Sequence, residues 1–290
     1  MIRLDTKNKL FLELENKTPN WWKNIISEKG VYIDIRKDNY IDIYFNGGNI
    51  IRELKFDGKK YSGSINYKYL LSEKSEYIKY DFSLPKVELA QKKIDLLAFS
   101  DFEHKEFKRI KDNISKYYPA SSEKGIQAKF VNKTDCFLDT EFAYNYRNIK
   151  LRIDLVWIDV INKRIMFVEL KTMGDSRLYT NEIYDQLKKY NDFAITFEKE
   201  IVDYYQKVFE IKKKLNILPK GLTSISSLND FTLEKKPLLL FGDCQQNWID
   251  NNAKDINAKI DNVAVGSYYF GDAKYNCDII SKTNRNRYIF

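Results

Sequence analysis

Two neighbouring stretches decide the fold of this chain: Arg152-Ile153-Asp154-Leu155-Val156-Trp157-Ile158-Asp159 and Arg164-Ile165-Met166-Phe167-Val168-Glu169-Leu170-Lys171. Both are apolar at nearly every position, a pattern typical of strands that are covered on both faces. Yet Asp154, Glu169 and Lys171 sit within them. A buried charge is costly unless it is paired or binds a metal. These three residues are therefore the first candidates for a functional site.

A hairpin would bring the three charges together. If Asn162-Lys163 is the centre of a tight turn, Asp154 lies directly opposite Lys171, and Glu169 shares their face because side chains alternate along a strand. Two carboxylates and an ammonium then converge on one patch. Carboxylate oxygens suit Mg²⁺, and a lysine can stabilise a phosphate or orient an attacking water. The alternative is a purely structural salt bridge between Lys171 and one of the acids.

Three further residues extend this patch. A turn near Arg147-Asn148 places Glu141 opposite Asp154, whereas a longer turn would change that register. Downstream, Gln186 and Tyr190 are four residues apart on a predicted helix and share a face. They either reach the site or, in the alternative, pack Tyr190 into the core and leave Gln186 exposed.

The rest of the chain divides at Pro85. The alternation before it predicts a β-rich unit over residues 1–85, with a hairpin that turns at Lys37-Asp38-Asn39 and a short helix at Trp21 to Ser27. From Lys86 to Tyr118 the helical spacing and the lack of Gly and Pro predict a helical region. Downstream we expect strands at Ala128 to Tyr144, Ile149 to Val160, Arg164 to Lys171, Pro237 to Phe241 and Val263 to Phe270, with helices between Gly174 and Pro219 and from Gln245 to Ile260.

The composition narrows the classes of function. The 290 residues allow one or two domains. A single histidine, His104, excludes sites that need several histidines, so a metal site must be built from carboxylates. Three scattered cysteines predict no disulfide framework and no zinc knuckle. No run is apolar enough for a membrane helix and the N-terminus is charged, so we expect a cytoplasmic protein. The net charge of +8 suits a polyanionic partner.

Asp154, then Glu169-Leu170-Lys171, then Gln186 to Tyr190 resembles the pattern of the PD-(D/E)xK nuclease superfamily. The QxxxY element is similar to that of its RecB-like branch. The resemblance covers about residues 86 to 270. It implies an α/β fold with a restriction-endonuclease-like core, a mixed sheet flanked by helices, in a nuclease-like domain over residues 86–290 behind the N-terminal β-rich accessory domain.

The resemblance also implies roles for the candidate residues. Mg²⁺ or Mn²⁺ would be held by Asp154, Glu169, Glu141 and the carbonyl of Leu170. Lys171 would support the nucleophile or the phosphate, and the residues that contact substrate or brace the site would be Gln186 and Tyr190. The chain departs from the family pattern in two places. Ile153 replaces the proline of the motif, and the histidine often found upstream in RecB-like enzymes has no candidate in a catalytic strand. Glu141 would take the place of the upstream acid that some relatives carry on the first strand.

The function implied is metal-dependent hydrolysis of phosphodiester bonds, with DNA preferred to RNA as the substrate. Restriction or phage defence is the setting that association suggests. Two alternatives stay open. In the first, the chain is a nucleic-acid-binding module that does not cleave. In the second, it is a nuclease subunit that is silent until a partner in a defence or repair complex engages. Assembly as a homodimer or with a partner protein is also open, and no membrane partner is expected.

Overall fold

The computed structural model describes residues 3–69, 92–95, 104–146, 149–271 and 287–289 of the chain. Over these ranges the protein is a mixed α/β structure, in which an antiparallel sheet and a mixed sheet pack together with helices. The expected α/β class is confirmed, as is a β-rich segment that precedes the mixed sheet.

The first sheet has antiparallel strands that follow one another in sequence order: β1 (Val31–Arg36), β2 (Tyr40–Phe45), β3 (Gly48–Phe56), β4 (Tyr61–Ile65) and β5 (Lys92–Asp95). The expected hairpin is confirmed. In its turn Asp38 and Asn39 adopt left-handed backbone conformations, which Asp and Asn tolerate better than most residues. Helices α1 (Lys9–Lys17) and α2 (Asn20–Ser27) pack on this sheet, and α2 confirms the expected short helix.

The second sheet is mixed. Its strands are β6 (Phe137–Tyr146), β7 (Ile149–Asp159), β8 (Arg164–Lys171), β9 (Thr232–Leu233), β10 (Leu238–Phe241), β11 (Gly266–Phe270) and β12 (Arg287–Ile289). The spatial order is β12-β11-β10-β8-β7-β6, and the short β9 pairs with β8. β6, β7 and β8 run antiparallel, whereas β8, β10, β11 and β12 run parallel. Strand β8 therefore lies in the middle of the sheet, with its residues buried on both faces.

Five longer helices follow the first sheet in the part of the chain that the structure describes: α3 (His104–Tyr117), α4 (Glu123–Thr134), α5 (Glu182–Thr196), α6 (Glu198–Lys214) and α7 (Gln246–Ile260). The helices expected between Gly174 and Pro219 and after Gln245 are confirmed. Short 3₁₀ turns lie at Tyr67–Tyr69, Ser176–Tyr179 and Lys220–Leu222. Within the described ranges, no helix combines the length and the apolar character needed to cross a bilayer.

Two expectations are wrong. Residues 92–95, expected to be helical, form strand β5 and pair with β4, so tertiary pairing overrides the local helical spacing there. Ala128 to Thr134, expected to begin a strand, is the second half of helix α4. This helix begins where the Ser122 side chain accepts a hydrogen bond from the Gly125 amide, an N-cap inside a segment that looks like a loop in sequence. Pro85 lies outside the described residues.

The two sheets contact each other through buried polar groups as well as a shared apolar core. Arg36 at the end of β1 donates to the Asp139 carboxylate (2.8 Å) and to the Thr140 carbonyl (2.6 Å) on β6. Lys212 on α6 reaches Asp34 on β1 at 3.2 Å. The proposed boundary at residue 85 stays a prediction, but the first sheet takes its fifth strand from beyond it and is joined to the second sheet by ion pairs.

Candidate functional site

The turn between β7 and β8 sets the relative position of the charged residues. It contains residues 160–163, so it is longer than the two-residue turn that the sequence suggested. The Asp159 carboxylate accepts hydrogen bonds from the Asn162 backbone amide at 3.1 Å and from its side chain at 2.8 Å, which stabilises the longer turn. As a result Asp159 pairs with Arg164 and Leu155 with Val168.

The expected pairing of Asp154 with Lys171 is therefore wrong by two residues. In the observed register, Asp154 lies at the level of Glu169 on β8. Because side chains repeat every two residues along a strand, this shift leaves all three charged residues on the same face. The structure thus brings Asp154, Glu169 and Lys171 together, with the two carboxylates closer to each other than the sequence suggested.

Within the described part of the chain, Asp154 is a buried carboxylate whose oxygens accept one hydrogen bond. Its side chain accepts from the Leu170 backbone amide at 2.9 Å, and the residue is only 9% exposed. Among the described residues, no cation lies within salt-bridge distance of this carboxylate. Burial, and then the negative charge of Glu169, raise the pKa of Asp154 well above its usual value. A further positive charge beside Asp154 would therefore stabilise its ionised form.

Glu169 and Lys171 form a fully buried ion pair, each residue being 1% exposed. The Lys171 ammonium also lies 3.4 Å from the Leu170 carbonyl and 3.7 Å from the Asp175 carboxylate. Burial raises the pKa of Glu169, and Lys171 opposes that rise. This pair has the geometry of the structural salt bridge considered above. Asp154 is the group that such a salt bridge leaves unexplained.

Tyr190 and Gln186 project from helix α5 towards this pair. The Tyr190 hydroxyl lies 2.5 Å from Glu169 Oε2 and also contacts the Arg152 carbonyl, while the ring is buried. Tyr190 thus belongs to the core and to the site at once, since it holds the carboxylate of Glu169. Gln186 lies one turn away and lines a surface cavity.

Glu141 lies on β6 in the expected register, because Phe142 pairs with Ile153 and Thr140 with Leu155 on either side of it. Its carboxylate is taken up by other partners. Lys124 and Gln127 from helix α4 bind one oxygen, and Arg152 binds the other. Burial alone would raise the pKa of Glu141, but Lys124 and Arg152 hold it below its usual value.

The oxygen atoms available to a divalent cation are therefore those of Asp154 and Glu169 and the Leu170 carbonyl. In the described parts of the chain, no three acidic, cysteine or histidine side chains cluster closely enough to form a metal group by themselves. Two adjacent buried carboxylates, one of them paired with an ammonium, still fit Mg²⁺ or Mn²⁺, since these ions bind through one or two carboxylates and complete their shell with water and phosphate.

A cavity of about 390 Å³ lies next to Arg152 and Tyr190, although neither Asp154 nor Glu169 lines it. Its walls come from the start of β7, the 3₁₀ turn after β8 and helix α5, and its cationic side chains are those of Lys150, Arg152, Arg177 and Lys189. Tyr190 connects the cavity to the carboxylates, because its ring forms part of the wall and its hydroxyl contacts Glu169.

Several of these residues escaped the sequence analysis. Lys124 and Gln127 were missed because α4 was expected to be a loop and a strand, so its inward face could not be recognised. Asp175 and Arg177 lie just after β8, and their mutual ion pair beside Lys171 has no periodic signal. Only their position after a strand that carries Glu-x-Lys could have drawn attention to them.

Comparison with known proteins adds little to this geometry. No family model matches the chain, and no solved structure matches it significantly. A curated relative is trophozoite exported protein 1 of Plasmodium falciparum (isolate 3D7), which is 29% identical over 142 residues. The match covers 47% of this chain and 13% of that protein. The export to which its name refers is a property of that protein.

Proposed function

We propose that this chain is a metal-dependent nuclease of the PD-(D/E)xK type that hydrolyses phosphodiester bonds, with DNA as the preferred substrate. One observation carries the proposal. Asp154 is a buried carboxylate without a cationic partner among the described residues, and it lies beside Glu169, whose partner Tyr190 lines a cavity with four cationic side chains. Such a carboxylate is costly in a purely structural role, whereas it is useful as a ligand for a divalent cation.

The residues of the chain divide the work between them. Asp154, Glu169 and the Leu170 carbonyl would hold Mg²⁺ or Mn²⁺, and the bound cation would acidify a water and neutralise charge that builds up on the phosphate. Tyr190 fixes the orientation of Glu169 through its hydroxyl. Lys171 lies between Glu169 and the Leu170 carbonyl, where its ammonium can stabilise the anionic transition state or orient the nucleophile.

The cationic cavity supplies the binding of the polyanion. Arg152, Arg177 and Lys189 come from three different elements but converge on one opening, which supports a backbone-binding role. Asp185 and Glu182 lie on the same wall and make the cavity less positive than a purely cationic groove. Because the cavity still presents several cations to the phosphates, binding of the polyanion should weaken steeply as the salt concentration rises, as it does for proteins that neutralise several phosphates.

The test is a cleavage assay with linear duplex, circular duplex and single-stranded DNA, and with RNA, in Mg²⁺ or Mn²⁺ and in EDTA. We expect metal-dependent cleavage that falls at least about 100-fold in Asp154→Asn, Glu169→Gln and Lys171→Met, which corresponds to about 2.7 kcal/mol of transition-state stabilisation. The matched control is Asp159→Asn. Asp159 is a buried acid on the same strand that pairs with Arg164, about 16 Å along β7 from Asp154. This control should lose stability while each folded molecule retains its cleavage rate.

Two results would count against the proposal. If DNA binds but no substrate is cut in either metal, the chain is a binding module, or its activity requires a partner; adding lysate from the source cell separates these two cases. If cleavage persists in Asp154→Asn and Glu169→Gln, the catalytic residues lie elsewhere in the chain.

A further inference from the structure

Glu141 lies where a third carboxylate of the site would be expected, yet it faces other partners. It occupies the position on β6 that corresponds to Asp154 on β7. Its backbone adopts a left-handed conformation (φ 53°) in the middle of a strand, which is unfavourable for a residue with a side chain. A strained residue beside a functional site is held there by its surroundings, so the contacts of its side chain are informative.

Three side chains hold the Glu141 carboxylate. Lys124 and Gln127, both on α4, bind Oε1, with Gln127 at 2.9 Å, and Arg152 binds Oε2. Gln127 also donates to the Asp154 carbonyl at 2.7 Å, so it links the two acidic residues directly. We name Lys124, Gln127 and Arg152 the Glu141 latch.

Arg152 is the component of the latch that a ligand can reach. Its side chain is 60% exposed, whereas that of Lys124 is largely buried, and it lines the cationic cavity together with Lys150 and Lys189. A phosphate that enters the cavity offers Arg152 an anionic partner equivalent to the Glu141 carboxylate. The exchange of one partner for the other leaves the charge of Arg152 compensated throughout.

We infer that the Glu141 latch holds a third carboxylate away from Asp154 and Glu169 until the phosphates of a polynucleotide engage Arg152. This inference rests on the proposed nuclease function and deepens it. When Arg152 turns to a phosphate it frees Oε2 of Glu141, while Lys124 and Gln127 keep Oε1, so the site gains an oxygen ligand only when substrate is present. By linkage, polyanion binding and metal binding then strengthen each other.

Mn²⁺ affinity, measured by calorimetry without nucleic acid, tests the latch independently of activity. We expect Arg152→Gln to bind Mn²⁺ at least about five-fold more tightly than the wild type, the lower range of typical coupling between two sites. The matched control is Lys189→Gln, which removes one cation from the same cavity without touching Glu141. This control should change the affinity by less than two-fold, roughly the effect of a remote screened charge. In the Glu141→Gln background, Arg152→Gln should no longer tighten binding.

A polyanion should reproduce the effect of the mutation. A heparin oligosaccharide, which has no phosphodiester bond, should tighten Mn²⁺ binding to the wild type but not to Arg152→Gln, after correction for Mn²⁺ bound by heparin alone. The latch is overturned if Arg152→Gln and Lys189→Gln behave alike, or if heparin binds the wild type without changing its Mn²⁺ affinity. If the wild type binds no Mn²⁺ at all, the proposed function itself fails.

Discussion

Removal of the Arg36 guanidinium should destabilise the protein strongly, because it is the hub of the charge cluster between the two sheets. Arg36 is buried and donates to three carboxylates, those of Asp42 (3.0 Å), Asp139 (2.8 Å) and Asp34 (3.2 Å). Arg36→Met keeps the volume and removes the charge. Among the described residues, Asp34 then keeps Lys212 as a partner, whereas Asp42 and Asp139 lose their salt bridges. The loss of one partner of a buried ion pair typically costs about 3–5 kcal/mol.

Urea denaturation monitored by tryptophan fluorescence measures this loss. The matched control is Arg52→Met on β3, whose side chain is 51% exposed and pairs with an exposed Glu53 at 3.7 Å. A surface pair of that kind is worth about 0–1 kcal/mol. We expect the Arg36 variant to lose at least about 3 kcal/mol, and the control less than about 1 kcal/mol. Equal losses in the two variants would refute the view that this cluster couples the sheets.

Three further outcomes follow from the local geometry. Tyr190→Phe removes the hydroxyl that donates a hydrogen bond to the Glu169 carboxylate. It should lower the free energy of unfolding by about 1.5–3 kcal/mol, and with it the melting temperature and the cleavage rate; wild-type values of all three would contradict this. Gly125→Ala should destabilise, despite the usual helical gain of about 1 kcal/mol, because its Cβ would lie 2.3 Å from the Pro119 carbonyl oxygen; a raised melting temperature would contradict this. Burial raises the pKa of the Cys244 thiol to about 12, so iodoacetamide should label it slowly at pH 8 in the native protein and faster as the pH rises; rapid labelling at pH 8 would contradict this.

The face on which the charges gather was predictable from sequence, although the register was not. Alternation along a strand has a period of two, so a slip of two residues leaves Asp154, Glu169 and Lys171 on one side. The two-residue shift in register arose from the length of the turn between β7 and β8. Asp159 stabilises a four-residue turn through its hydrogen bonds to Asn162, and side-chain contacts of this kind are decided only when the turn forms.

The environment of Glu141 could not be predicted from sequence. Its register on β6 was predicted correctly, since Phe142 pairs with Ile153 and Thr140 with Leu155, while the expected turn at residues 147 and 148 lies outside the described residues. Its partners, however, come from helix α4, which begins at an N-cap within an apparent loop. Because this helix was not predicted, its inward-facing residues could not be identified, and neither Lys124 nor Gln127 could be assigned to the site.

Packing in the core and a role in the site were treated as alternatives for Tyr190, but the structure combines them. The ring is buried as the core interpretation expected, yet its hydroxyl lies on Glu169 as the site interpretation expected. A neutral phenol can pack against apolar neighbours and still orient a carboxylate, because its polar atom lies at the end of the ring. Gln186, one turn away, interacts with the Tyr190 side chain and also lines the cavity.

Two clusters of buried charge among the described residues differ in a way that supports the proposed function. Around Arg36, each of Asp34, Asp42 and Asp139 has a cation within 3.2 Å, so the cluster is complete without any ligand. Around Lys171, Asp154 has none among the described residues. In the Arg36 cluster, whose role is to hold the fold together, each buried acid therefore has a cationic partner within the chain. At Asp154 such a partner is missing among the described residues, and the proposed metal ion is the group that would supply it.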